Sequence, residues 1–432
     1  MITITKILIS YLSRIFIKIF TITLLFAFYN CKKVDSFNVC DPTSEEFLRT
    51  LFFKLGIGDN TSHCGYAINQ DKGCKLNRKE VMQPENWKFV QAELTKQASL
   101  GSRATSVSTI STSGVGNPKW GALSLALNGK LYGMPSGSST ILEIDPNSGT
   151  SREIPVPGSI TGTHASGVLA LNGKIYSIPF NSDFIIVFDP LTESIESIAS
   201  PFLSEDKKWF GGILAPNGKI YAPPGDASGI LVIDPSNNTT YTIASPTTGT
   251  FKWISGSLAP NGKIYGAPGS QDSILMIDPS NDVVSTLAIT KTGILKWSGL
   301  NLGIDGKLYG TPLISNSDVL VLDPFTNNVN YITAAGGTSA SGAWFGASLA
   351  PNGFIYHTPY YNQPILQIDT SSQSSSLINQ PFAGNDKWTA FRLARNGRLY
   401  AGPASLVDTL VFDPGSNGAF CDSILFSSYL NN

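Results

Sequence analysis

Seven positions recurring along the chain carry the side chains best suited to recognition chemistry: Trp120, His164, Trp209, Trp253, Trp297, Trp344 and Trp388. Lysine immediately precedes five of them, at Lys119, Lys208, Lys252, Lys296 and Lys387. Gathered on one rim, indoles and ammoniums form a platform for a sugar, an aromatic group or an anion. The same residues also suit a structural role, with each indole wedged between neighbouring units and each lysine left in solvent. Chemistry is better sought where a copy breaks the pattern. His164 replaces the indole in the second copy, and the sixth copy carries His357, Tyr360 and Tyr361 in HTPYYNQP, where other copies have small residues. His164 and His357 are the candidate acid and base near neutral pH. The seventh copy adds Arg392, Arg395 and Arg398. Phosphate loops, Gly-x-Ser-x-Gly elbows and His-Glu-x-x-His pairs are absent from the sequence. No metal site is expected; a calcium ion on the axis of a ring fold has no ligand set to support it.

The elements that must position these residues follow from the period. Tyrosines at 132, 176, 221, 265, 309, 356 and 400 mark seven copies, and an Asp closes a second phrase at 145, 189, 234, 278, 323, 369 and 413. A period near 45 with short strand-like phrases predicts an all-β fold, a seven-bladed β-propeller with four antiparallel strands per blade. In the fourth copy, Ile254–Ala259 suits an inner strand and Lys263–Ala267 a second. Ser273–Ile277 suits a third and Asp282–Ala288 an outer one. Asn261-Gly262 predicts a two-residue type I′ hairpin, and Asp278-Pro279 predicts a turn. Either ATSVSTIST (104–112) or FCDSILFSSYL (420–430) must complete the last blade. The propeller is thus expected over 104–432, with one rim bearing the Asn-Gly and Asp-Pro turns and the other bearing the indoles.

The front of the chain carries an address. Lys6, Arg14 and Lys18 flank an eleven-residue apolar run ending at Asn30-Cys31, too short for an ordinary membrane span. FAFYNC resembles a relaxed, spirochaete-type lipobox, although Phe28, Tyr29 and Asn30 are bulkier than usual. That resemblance implies a lipoprotein signal peptide over 1–30 and lipidation of Cys31; an uncleaved signal anchor or plain signal cleavage are the other readings. Residues 31–103 form a linker and a short helical module. Its start, CDPTSEEFLRTLFFKLGIGDNTSHCG, reads as a helix capped by Asp41 with Pro42 first. Cys40, Cys64, Cys74 and Cys421 leave two disulfides with three connectivities, and zinc is disfavoured because no Cys-x-x-Cys pair exists. The module resembles the N-terminal segment of leptospiral lipoproteins. The resemblance implies a Cys40–Cys64 bridge, leaving Cys74–Cys421. A second helix is expected from Pro84 to about Lys96.

The formal charge is −1, and about −4 without the leader, which speaks against nucleic acid as a partner. The Pro-Asn-Gly, Lys-Ile-Tyr and Ile-Asp-Pro phrases resemble those of streptogramin-lyase-like and NHL-like propellers. The resemblance implies a propeller but no catalytic residue, since the lyases' histidine motif has no counterpart here. The expected function is a monomeric, non-enzymatic scaffold. Lipid would anchor it at the outer membrane of the cell envelope, where it would bind an envelope or host protein or a glycan. The alternative is a lyase or lactone-hydrolase type enzyme acting on a small molecule.

Overall fold

A computed structural model describes residues 72–112, 118–315, 318–336, 344–406 and 408–431. The chain divides into two compact units, 1–69 and 70–432, and the described residues belong to the second. The candidate lipidation site Cys31, the helix after Asp41 and the Cys40–Cys64 pair lie outside the described residues.

The repeats fold as antiparallel four-stranded sheets. Five sheets hold four strands; a sixth holds eight, because one parallel bridge between Ala122 and Ser166 joins the inner strands of the first two copies. In the fourth copy the strands are Trp253–Leu258, Ile264–Pro268, Ser273–Asp278 and Val283–Ala288. Second and third strands are apolar on both faces because neighbouring sheets cover them, whereas the outer strand alternates towards solvent. The inner strands crowd the axis. A Cβ placed on Gly211 would collide with Ser255, and one on Gly346 with Ala390, which explains the small residues there.

The Asn-Gly hairpins differ from expectation. Only the glycine has positive φ (+80° at Gly262), while Ala259 N donates to Lys263 O and Gly262 N to Ala259 O. The loop is therefore a three-residue one, a type I turn followed by a left-handed glycine, rather than type I′. Pro260 fits the first turn position with its fixed φ.

This geometry releases the asparagine for another task. Asn261 Nδ2 donates to the Tyr265 hydroxyl (2.8 Å) and to the Pro324 carbonyl (2.6 Å) in the Asp-Pro turn of the next copy. The same link runs from Asn128 to Pro190, Asn172 to Pro235, Asn217 to Pro279 and Asn352 to Pro414. It then runs from Asn396 in the last copy to Pro146 in the first. The repeated phrase is therefore an interlocking part: Asn and Tyr of one unit hold the Asp-Pro turn of the following one. Each such Asp accepts the amide two residues on, as Asp278 does from Ser280 (3.0 Å), and that fixes the turn being gripped. In the fifth copy Asp305 replaces Asn. It accepts from Tyr309 (2.8 Å) and has no donor for the Thr370 carbonyl, and burial raises its pKa. Asp305→Asn should restore the donor and remove a buried carboxyl, stabilising the fold by about 1 kcal/mol in urea unfolding. Asn261→Ala should cost about 1–2 kcal/mol by the same measurement.

The last sheet closes with the front strand. Ser106–Ser111 pairs antiparallel with Asp408–Asp413 through all six residues, while 420–431 turns under the sheets as a short helix, Asp422–Leu425, and a buried tail. The described part of the 31–103 segment packs on the sheets. Val81, Met82, Trp87, Val90 and Leu94 are buried in the same core as the sheets. Among the described residues no helix is long and apolar enough to cross a membrane.

Candidate functional site

Two ends of the axis have opposite characters. At the Asn-Gly end, the helix Trp87–Ser99 and the C-terminal tail form a cap. Trp87 packs edge-on against Tyr429, and the disulfide Cys74–Cys421 ties the two segments together. Arg78 donates Nε to Phe426 O, Nη1 to Ala170 O and Nη2 to Leu169 O, each at 3.0 Å. Arg392 donates Nε to Leu123 O and Nη1 to Leu430 O, joining last strand, first strand and tail. Burial lowers both guanidinium pKa values to about 10. Asn431 brackets Leu125, accepting its N–H and donating to its carbonyl. Arg395 pairs with Asp422, and Arg398 lies 3.4 Å from Asp413. The arginines of the seventh copy thus bind the cap and the closing sheet, a role that sequence spacing alone does not reveal.

At the other end lie the indole and lysine slots, and both differ from the rim proposed for them. Trp120, Trp209, Trp253, Trp297, Trp344 and Trp388 are all buried. Each Nε1 donates to the carbonyl of the residue that opens, or just precedes, its own third strand, as Trp253 does to Ser273 O (2.8 Å) and Trp344 to Pro364 O. With face and edge both occupied, none presents a surface to a ligand; a position filled identically in nearly every copy serves packing. The lysines are not solvated either. Lys208, Lys252, Lys296 and Lys387 are buried and donate to loop carbonyls, Lys252 to Ala227 O (2.9 Å) and Gly249 O (3.0 Å). Desolvation lowers the pKa of all four, that of Lys387 to about 8. Their backbones, with that of Lys119, tie five units to the one before: Lys208 N to Phe180 O, Lys252 N to Gly225 O, Lys296 N to Gly269 O, Lys387 N to Tyr360 O, and, across the junction of last and first copies, Lys119 N to Ala404 O.

The two histidines are core residues in separate copies. His164 Nδ1 lies 2.9 Å from Ser177 Oγ, and His357 Nδ1 lies 3.0 Å from Thr311 Oγ1. Both are buried, and neither Nε2 has a hydrogen-bond partner. Burial, with Lys208 adding repulsion at His164, lowers both pKa values to about 3. His164 with Ser177 fills the slot that Trp with Gly occupies in copies one, four and five. Both imidazoles therefore stay neutral around pH 7. Among the described residues no cluster of three or more His, Cys, Asp or Glu side chains is placed to hold a metal ion.

Among the described residues, this end also carries two aromatic groups. Phe180, Phe210 and Phe251, from copies two to four, touch in sequence at 5.0 and 5.7 Å between ring centres, with Lys207 Nζ 5.2 Å from the last ring. In the sixth copy Phe345, Tyr360 and Tyr361 form a second chain at 5.3 and 5.2 Å. All six are half-buried. Burial and Asp386 raise the Tyr360 pKa, so its hydroxyl stays protonated. Sequence reading found Tyr360 and Tyr361. It missed the phenylalanines, because Phe180, Phe210 and Phe251 fall at three different positions of the repeat and only the fold brings them together.

No protein-family model matches the chain, and no curated protein matches it in sequence. Solved structures match in fold. A streptogramin B lyase superposes with TM-score 0.61 at 13% identity, over 71% of this chain and 97% of its own. A catalytically inactive virginiamycin B lyase from Staphylococcus aureus with quinupristin gives 0.58 at 12%, over 72% and 99%. An extracellular domain from B. thetaiotaomicron gives 0.54 at 14%, over 71% of this chain and 42% of that one. At such identities the likeness speaks for architecture, and the chain is an all-β propeller similar in fold to streptogramin B lyase.

Proposed function

We propose that the protein is a non-enzymatic binding propeller of the cell envelope, seven blades closed in a ring, with its uncapped rim displayed to a protein or glycan ligand. Lipid on Cys31 anchors it, with the outer membrane the preferred site. The observation that carries this reading is the asymmetry of the two rims. Among the described residues, one is closed by helix, tail, the half-buried Arg78 and the buried Arg392, whereas the other bears half-exposed aromatic side chains that break the repeat. Burial of His164 and His357 weighs against the acid–base pair of the enzyme alternative, and the resemblance to an extracellular domain is in keeping with envelope display.

The test has two parts. Full-length protein in detergent is presented to purified envelope proteins and oligosaccharides, with Tyr361→Ala and Phe345→Ala as variants; binding weakened by either supports the reading. In a lyase and lactonase panel no turnover is expected, and turnover lost on His164→Ala or His357→Ala overturns it. Fatty-acid labelling lost on Cys31→Ser checks the anchor.

A further inference from the structure

We infer that the ligand of the uncapped rim is a neutral carbohydrate, whose rings stack on the phenylalanine chain while a terminal unit enters the small-residue neck between the inner strands. This rests on the reading of that rim as a binding surface. Three observations point to the class.

The first is the Phe180, Phe210 and Phe251 series, whose rings meet edge-on or tilted rather than in one stack, so successive half-exposed faces follow the mouth across three units. Sugar C–H faces and aromatic faces complement one another, and a polar edge remains free for hydrogen bonding. The second is the neck itself. Ala122, Ser166, Gly211, Ser255, Gly346 and Ala390 occupy equivalent places where the inner strands converge. Beyond them Arg392 and Leu430 close the far end. A ligand enters from one side only, as a chain end. The third is unspent hydrogen-bonding capacity. The hydroxyl of Ser166 in the neck, and that of Ser348 at the level of Arg392 on its floor, are both more than nine-tenths buried and have no hydrogen-bond partner. A buried hydroxyl without a partner is costly, and a ligand hydroxyl supplies what an apolar ligand cannot. Charge gives an ion little to bind. The Lys208 ammonium is spent on loop carbonyls and Asp226 on the Phe251 N–H (2.6 Å), while the exposed Lys207 ammonium lies over the Phe251 ring, where it can also donate to a sugar hydroxyl.

The experiment presents full-length protein in detergent to an array of neutral and acidic oligosaccharides, with affinities from calorimetry on the best neutral binder. Phe210→Ala and Phe251→Ala should each weaken binding about tenfold while leaving the melting temperature within a few degrees. Ser166→Leu, which fills the neck, should abolish binding of the chain end; Ser166→Ala, which keeps the neck open, should weaken it only severalfold. Binding to acidic sugars alone, or neutral binding indifferent to both phenylalanine substitutions, overturns the inference. Capture of a purified envelope protein that is lost on Phe210→Ala, with no sugar bound, overturns the carbohydrate assignment and leaves the scaffold reading standing. If no substitution on this rim changes any binding, both fall.

Discussion

Cys74→Ser with Cys421→Ser should lower stability by about 4–5 kcal/mol. The disulfide closes a loop with a sequence separation of 347 residues, and the entropy removed from the unfolded chain grows with the logarithm of loop length. The bridge joins the cap's helical side to its C-terminal side, so its loss should act locally as well as globally. Tyr429, Leu430 and Asn431 are held by Met82, Arg392 and Leu125 respectively. Once the tail is freed, Arg392 loses a carbonyl partner inside the core. Differential scanning calorimetry of oxidised, reduced and doubly substituted protein measures the effect. Reduction should match substitution, and limited proteolysis should cut first near 417–431. A change under 1 kcal/mol would mean that the cap holds without its bridge.

The second large effect is loss of stability in acid. His164 and His357 are held neutral in the fold, with pKa values lowered from about 6.5 to about 3 by burial. Between those values the unfolded chain binds more protons than the folded one, so stability rises with pH through this window. It is complete above about pH 6.5 and falls as the pH drops towards 3. Each pKa unit is worth about 1.4 kcal/mol, so the pair should remove several kcal/mol between pH 6.5 and 4. Asp234 and Asp278, whose pKa values are lowered by the Ser236 and Ser280 hydroxyls, push the same way at lower pH. Melting temperatures at pH 7 and pH 4.5 should converge in a His164→Trp, Ser177→Gly, His357→Ala variant. The first two changes restore the indole slot as copies one, four and five build it. A wild-type protein equally stable at both pH values would contradict the buried, neutral histidines.

Much of this fold is legible in the sequence because each blade is a local object. The four strands of the fourth copy fall within a residue of where alternation and turn chemistry place them. The Asp-Pro turn and the helix after Pro84 are likewise read from short stretches. Connections between copies are what a single repeat does not reveal. Asn261 reads as a turn former, and its grip on Pro324 lies 63 residues away. The same limit governs the site. Trp253 and Lys252 look like recognition residues because both types favour surfaces and interfaces, yet position at a blade junction buries them. Lysine becomes tolerable there because loop carbonyls take the place of water. Phe210 carries no signal until Phe180 and Phe251 are seen beside it. Of the two candidate closing segments, Ser106–Ser111 alternates as an edge-pairing strand does, while Ser423 to Leu430 holds the apolar run that seals the axis.

The central claim is that asparagine links pass from six units to the unit that follows, the last of them returning to the first, with the front strand completing the final sheet. Native-state hydrogen exchange on the amides of Ser106–Ser111 tests it most directly. Protection equal to that of Val283–Ala288, lost only with global unfolding, is the result predicted. Exchange at the rate of an unpaired segment, while Val283–Ala288 stays protected, would contradict it.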